Sequence, residues 1–334
     1  MEWPTLLIFP AAVFLISMFG TRILVRQLTQ HEILDHPNER SSHSAPTPRG
    51  AGIAVIGALV FGWSAMGFMS NGFTGTLLVM SGLALGLAAI SWMDDLKDLS
   101  PLARLAVQSI AVAIALKMVP LPGPVFGGLL SPTMDLILAG VLWVWFLNLF
   151  NFMDGIDGLS GVETLAIGIG VFVISRKGGY GEITMTMGLT MAAAAIGFLR
   201  WNWHPSRIFL GDVGSIPLGF MLGWLLLVLA AHGAWAAAII LPFYYLADAT
   251  VTLIRRILRG EKFWIAHREH FYQRAVASGL RHDQVAGIIF VANLFLIMLA
   301  IVSARGQVIG ALLGACAAIA LLLVLLVKGG PTDP

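Results

Sequence analysis

Eleven apolar runs dominate this chain, near residues 4–25, 51–69, 75–93, 102–119, 134–152, 159–175, 183–200, 213–231, 234–254, 284–303 and 306–327. Most approach the roughly 20 residues that an α-helix needs to cross a bilayer, and the sixth is short. Backbone polar groups find no water in hydrocarbon, so such runs must satisfy themselves as helices. The prediction is an all-α polytopic integral membrane protein with about eleven transmembrane helices, forming a single domain over residues 1–334. Only 11% of residues are charged, against about a quarter in a soluble domain. The net charge of +2 makes no case for nucleic acid. Met1 to Arg22 has no basic leader region and no small-residue cleavage site before Arg22, which predicts a retained first helix. The single cysteine, Cys316, excludes an internal disulfide and is expected to pack within its apolar run.

Eleven spans would place the termini on opposite sides. With the N-terminus outside, 16 of the 20 Lys and Arg residues lie on the inner side, and only Lys117, Arg176, Lys177 and Arg305 lie outside. The excess of basic residues in cytoplasmic loops favours a periplasmic N-terminus and a cytoplasmic C-terminus in a bacterial inner membrane. The inner loops are then 26–50, 94–101, 152–158, 201–212 and 255–283, and they hold every polar cluster. Glycines four apart, Gly82/Gly86, Gly219/Gly223 and Gly306/Gly310/Gly314, are expected to let helices approach closely. That packing suits contacts within one protomer or across a homodimer.

Asn148, Asn151, Asp154 and Asp157 stand three apart where the fifth run ends. Each three-residue step turns a helix by about 300°, so neighbours in this series share a side. Charge beside a hydrocarbon core is costly and usually marks a working site. A pair of helix-capping aspartates would be the plain alternative, but caps need no preceding amides.

Three further clusters face the same side. Asp94-Asp95-Leu96-Lys97-Asp98 ends the third run, where adjacent carboxylates either share a cation or raise one another's pKa. Phe209-Leu210-Gly211-Asp212-Val213-Gly214-Ser215 opens the eighth; its aspartate suits either a ligand site or a helix N-cap. His267-Arg268-Glu269-His270 lies in a basic segment able to grip phosphate or to rest on anionic lipid. The loop from Asp35 to Gly52 adds Arg40, His43 and Arg49. Carboxylates, amides and cations converging on one membrane face suit a metal-bound diphosphate, because Mg²⁺ prefers oxygen ligands and substrate phosphates.

With these motifs in place, the chain resembles the polyprenyl-phosphate N-acetylhexosamine-1-phosphate transferases, from about Asp35 to Arg274. The resemblance rests on Asp94-Asp95-x-x-Asp98, Asn148-x-x-Asn151-x-x-Asp154-Gly155-x-Asp157-Gly158, Phe209-Leu210-Gly211-Asp212-x-Gly214-Ser215 and His267-Arg268-x-His270. The wording of 35–52 and 200–205 looks most like the O-antigen-initiating branch. The resemblance implies transfer of a sugar 1-phosphate from a UDP-N-acetylhexosamine to undecaprenyl phosphate, with release of UMP. It implies Mg²⁺, or Mn²⁺ in its place, held by Asn151 and Asp212. Asp94, with Asp95, would orient or deprotonate the lipid phosphate, and His267, Arg268 and His270 would hold phosphate oxygens. Asn148, Asp154, Asp157, Phe209 and Arg49 would bind substrate, Asp154 and Asp157 by shaping the nucleotide pocket and Phe209 by stacking on uracil. The His-Arg-Glu-His wording departs from the denser basic patterns of other branches.

Two rival classes remain to be separated. A cation-coupled transporter would carry binding groups near the midplane in repeated, broken helices, and neither feature is evident here. A non-catalytic assembly subunit would have no use for the clustered carboxylates.

Overall fold

A computed structural model describes residues 3–37, 45–69, 74–97, 99–261 and 267–328. The chain runs through α1 (Trp3–Gln30), a short hairpin of β1 (Leu34–Asp35) and β2 (Thr47–Pro48), α2 (Gly52–Met69), α3 (Thr74–Lys97) and α4 (Pro101–Met118). It continues through α5 (Pro132–Phe152), α6 (Leu159–Gly178), α7 (Glu182–Asn202) and α8 (Asp212–Leu229). Then follow α9 (Trp235–Ile240), α10 (Phe243–Leu258), α11 (Phe271–Ala277), α12 (His282–Ala304) and α13 (Val308–Lys328). Residues 38–44 and 262–266, with Arg40 and His43, fall outside the described residues, as do Asp98 and the side chain of Asp95.

Ten segments are long and apolar enough to cross a membrane among the described residues. The difference from eleven lies at residues 212–258. A five-residue π-helical turn, Ala230–Ala234, joins α8 to α9, with Gly233 at φ 90°. The expected ninth span is then broken at Leu241-Pro242, where α9 stops and the 16-residue α10 begins. Proline has no N–H to continue the ladder and its ring opposes the preceding turn. The sixth helix, by contrast, is a full 20 residues.

Helix α8 is the axis. Its membrane segment is 100% buried, against 22% for α4 and 28% for α1 and α13, which face lipid. α8 touches α2, α3, α5, α6 and α7, so whatever its first residue presents lies among several helix ends. Gly223 admits the Trp143 indole, 2.5 Å from where a Cβ would sit, and Trp143 donates to Phe220 O at 2.8 Å. The expected close approach at Gly219/Gly223 is present. At Gly82/Gly86 it is absent: a Cβ there would meet nothing within 4 Å, because that side of α3 is exposed. Gly306 and Gly310 are likewise open, while Gly314 does meet Leu299. Cys316 is exposed on the outer side of α13 rather than packed.

Candidate active site

The 45–52 segment is tied to the entry of α8 through the backbone. Phe209 N–H donates to Pro48 O at 2.8 Å, and the amides of Gly50 and Ala51 donate to Phe209 O at 3.0 Å each. Gly52 permits this: a Cβ there would lie 2.2 Å from Gly214 Cα, so no side chain fits between α2 and α8. The result places Arg49 beside Asp212, with Nη2 2.7 Å from Oδ1.

A second arginine completes the group. Arg104, at the start of α4, reaches Asp94 Oδ2 at 3.1 Å and lies 3.9 Å from Asp212 Oδ2. Asp94 is buried at the end of α3 and also accepts the Leu99 N–H at 2.7 Å. Carboxylates from α3 and α8 therefore share one guanidinium. Arg104 was visible in the sequence only as one of many basic residues, since nothing local marks it as a partner of Asp94 and Asp212.

Asn151 joins the same group from the end of α5. The Ser215 hydroxyl, one turn into α8, donates to its Oδ1. Oxygen donors of Asn151 and Asp212 thus converge on the first turn of α8, and hard oxygen ligands of this kind fit Mg²⁺ or Mn²⁺. Asn148 points elsewhere, donating to Gln108 Oε1 at 2.7 Å and Val144 O at 2.8 Å, and so braces α5 against α4.

Helix α5 ends at Phe152, so the three-residue rhythm does not carry Asp154 and Asp157 as a helix face; a turn does. Asp154 is half-buried, and burial pushes its carboxyl up to about 6, opposed by a Ser160 hydrogen bond and by Arg49 and reinforced by Asp212 and Asp157. Those influences put it within electrostatic reach of the Arg49–Asp212 pair. Asp157 is buried, and its Oδ2 lies 2.6 Å from His204 Nδ1, 3.2 Å from His282 Nδ1 and 3.2 Å from the Ser206 N–H. Its carboxyl is held low against the opposing cost of burial, first by the His282 hydrogen bond and then by His204. His204 entered the sequence reading only within the wording of 200–205, and His282 carried no signal. His282 lies 125 residues from Asp157 and meets it only in the fold.

The basic segment docks onto the same turn. Tyr272 in α11 donates to Phe152 O at 3.4 Å, and its hydroxyl occupies the space that a Cβ on Gly155 would need. His270 is buried, its Nδ1 3.0 Å from Asp248 Oδ1 in α10. Asp248 also takes the Tyr244 hydroxyl at 2.9 Å and the Phe271 N–H at 3.0 Å. This buried carboxylate, which sequence reading passed over, orients His270. His267 is lowered to about 4 by burial and by the charges of His270 and Arg256. It accepts the Glu269 N–H at Nδ1, which leaves the proton of the neutral ring on Nε2. Arg268 is exposed beside it, and Glu269 is gripped by Arg256 and Arg259.

Acids, amides and cations gathered at the helix ends of a membrane protein suit either an intramembrane enzyme of anionic lipids or an ion carrier. The relatives decide between these. Residues 77–230 match the glycosyl transferase family 4 profile, which supports that family for this chain. It is 28% identical over 84% of its length, and 80% of the relative's, to a Bacillus subtilis protein named probable undecaprenyl-phosphate N-acetylglucosaminyl 1-phosphate transferase. A Mycobacterium leprae decaprenyl-phosphate N-acetylglucosaminephosphotransferase is 26% identical over 83% of this chain and 78% of its own. A phospho-N-acetylmuramoyl-pentapeptide-transferase from Thermosynechococcus vestitus is 28% identical over 71% of this chain and 67% of its own.

Proposed function

We propose that this protein transfers N-acetylhexosamine 1-phosphate from a UDP-sugar to undecaprenyl phosphate, at the cytoplasmic face of a bacterial inner membrane. A phosphate oxygen of the lipid attacks the β-phosphorus of the donor. The bond from that phosphorus to the oxygen bridging the α-phosphate breaks, UMP leaves with the bridging oxygen, and a lipid-linked sugar diphosphate remains. This product starts O-antigen or a related envelope polysaccharide. The supporting observation is the bond from Ser215, in the turn of α8 that Asp212 opens, to Asn151, with Arg49 and Arg104 on Asp212 and Arg104 also on Asp94.

Asn151 and Asp212 would hold Mg²⁺, which when bound neutralises diphosphate charge and orients it. Arg49 and Arg104, now resting on Asp212 and Asp94, are placed to turn to phosphate oxygens; guanidinium matches that geometry in pairs of bonds. Asp94, with Asp95 next to it on α3, orients the lipid phosphate, an anion that needs positioning more than deprotonation. Phe209 stacks on uracil, and Asp154 and Asp157 shape the nucleotide pocket. Arg268 and His270 meet phosphate by charge or hydrogen bond. Neutral His267 contributes an N–H donor without charge.

The test is UMP release from a panel of UDP-N-acetylhexosamines with undecaprenyl phosphate, scored also for lipid product. At least one sugar should turn over, EDTA should abolish the reaction, and Mg²⁺ or Mn²⁺ should restore it. Turnover indifferent to chelation would remove the metal, and no turnover of any UDP-sugar would remove the reaction.

A further inference from the structure

Away from the acidic group, a cavity of about 540 Å³ opens between α1 and the end of α7, and Arg22, Arg26, Arg200 and Arg207 all line it. Arg22 and Arg26 are four residues apart, so they share one face of α1. Trp201 organises the other wall. Its indole N–H donates to Met18 O at 2.8 Å, which pins the ring to α1. The guanidinium carbons of Arg200 and Arg207 lie 5.2 and 5.7 Å from its ring centroid, within cation–π range. Arg207 is folded back over the helix end by the bond from its N–H to Trp201 O at 2.9 Å. All four arginines are exposed, and none forms an ion pair among the described residues.

Four cations around one cavity, without a carboxylate between them, repel each other and favour an anionic occupant. The remaining wall is apolar, with Phe19 49% exposed on the lipid-facing side of α1 and half-buried Val25 beside it. A charged rim over an apolar wall at a membrane helix end matches a molecule with an anionic head and an acyl body. A free soluble anion would leave the apolar wall uncovered.

We propose that this groove binds the headgroup of an anionic glycerophospholipid of the surrounding bilayer. Binding there braces the segment that follows Trp201, which carries His204 and Phe209; Asn202 Nδ2 already ties it back by donating to Ile208 O at 2.9 Å. The inference stands whether or not the transferase reading holds, because lipid binding is read without turnover.

The experiment is native mass spectrometry of the delipidated full-length protein in detergent, titrated with phosphatidylglycerol or phosphatidylcholine. Wild type should retain phosphatidylglycerol preferentially. Arg22→Gln with Arg26→Gln, and separately Arg200→Gln with Arg207→Gln, should each weaken that binding by roughly fivefold per arginine and leave phosphatidylcholine unchanged. If a glutamine variant loses its native elution profile, Arg22→Lys with Arg26→Lys carries the test: a kept preference for phosphatidylglycerol supports the groove, and a lost one overturns it. Equal retention of both lipids, or unchanged binding in folded glutamine variants, overturns the proposal. So does displacement by millimolar inorganic phosphate, or a preference for polyprenyl phosphate over phosphatidylglycerol.

Discussion

The two ends of α5 carry acids in opposite circumstances. At its start, buried Asp135 accepts the N–H groups of Val125 at 2.9 Å and Phe126 at 3.0 Å, and both oxygens are consumed in fastening the preceding loop. At its other end, about 30 Å away along a 21-residue helix, the polar groups meet side chains from other helices. Asn151 meets Ser215, and Asp154 feels Arg49 and Asp212. A carboxylate saturated by backbone amides is part of the scaffold. One paired with partly exposed arginines can exchange those partners for a metal or a phosphate. Asp248 shows that both kinds occur around the candidate site: it is buried, and its bonds go to His270, to Tyr244 and to backbone amides.

Substitutions should separate these kinds, beginning with the largest effect. Asp212→Asn should lower kcat for UMP release by about a hundredfold to a thousandfold, as removal of a preorganised charge partner does, while the protein still inserts and elutes normally. Near-wild-type turnover would place Asp212 with the scaffold acids. Asp248→Ala should instead cost about 3–5 kcal/mol of stability by leaving His270 and two backbone amides without their buried acceptor, read as a fall in Tm. Unchanged melting would show that this dyad is not holding α10 to α11.

Asp154→Asn should have a smaller effect, with two readouts of opposite sign. The folded carboxyl sits at about 6 against 3.8 in its ordinary state, so the folded protein binds more protons within that window. Stability therefore falls as pH rises through it, and the cost persists above it. The asparagine variant should be more stable at pH 7, by at most about 3 kcal/mol, and should lose the acid limb of the pH–rate profile near pH 6. Asp135→Asn should be the mildest, weakening two amide bonds at about 1 kcal/mol each with kcat per folded molecule unchanged. A drop in kcat there would erase the contrast between the two ends of α5.

Much of this was legible along the chain. A run of some twenty apolar residues admits few folds in lipid, so the helices could be read one by one, and the short sixth run needed only its last turn. The acid-bearing motifs were legible for a related reason: ionisable groups beside hydrocarbon are rare enough to stand out. The ninth span, which is divided between α9 and α10, shows the limit, because hydropathy registers apolar length but not the kink at Gly233 or the break at Pro242. Gly82/Gly86 shows another, since spacing alone does not say which side of a helix meets a neighbour.

Partners were beyond the sequence. Arg104 bridges Asp94 and Asp212, and His282 reaches Asp157 across 125 positions. No local pattern encodes contacts that exist only once α3, α4, α8 and α12 have packed. Residue order alone determined that this protein is a helical membrane bundle with its acids at helix ends, because transfer free energy acts on each segment separately. Tertiary structure decided which acid meets an arginine, which meets a histidine and which is spent on backbone amides, because hydrogen bonds and ion pairs act only over a few ångströms.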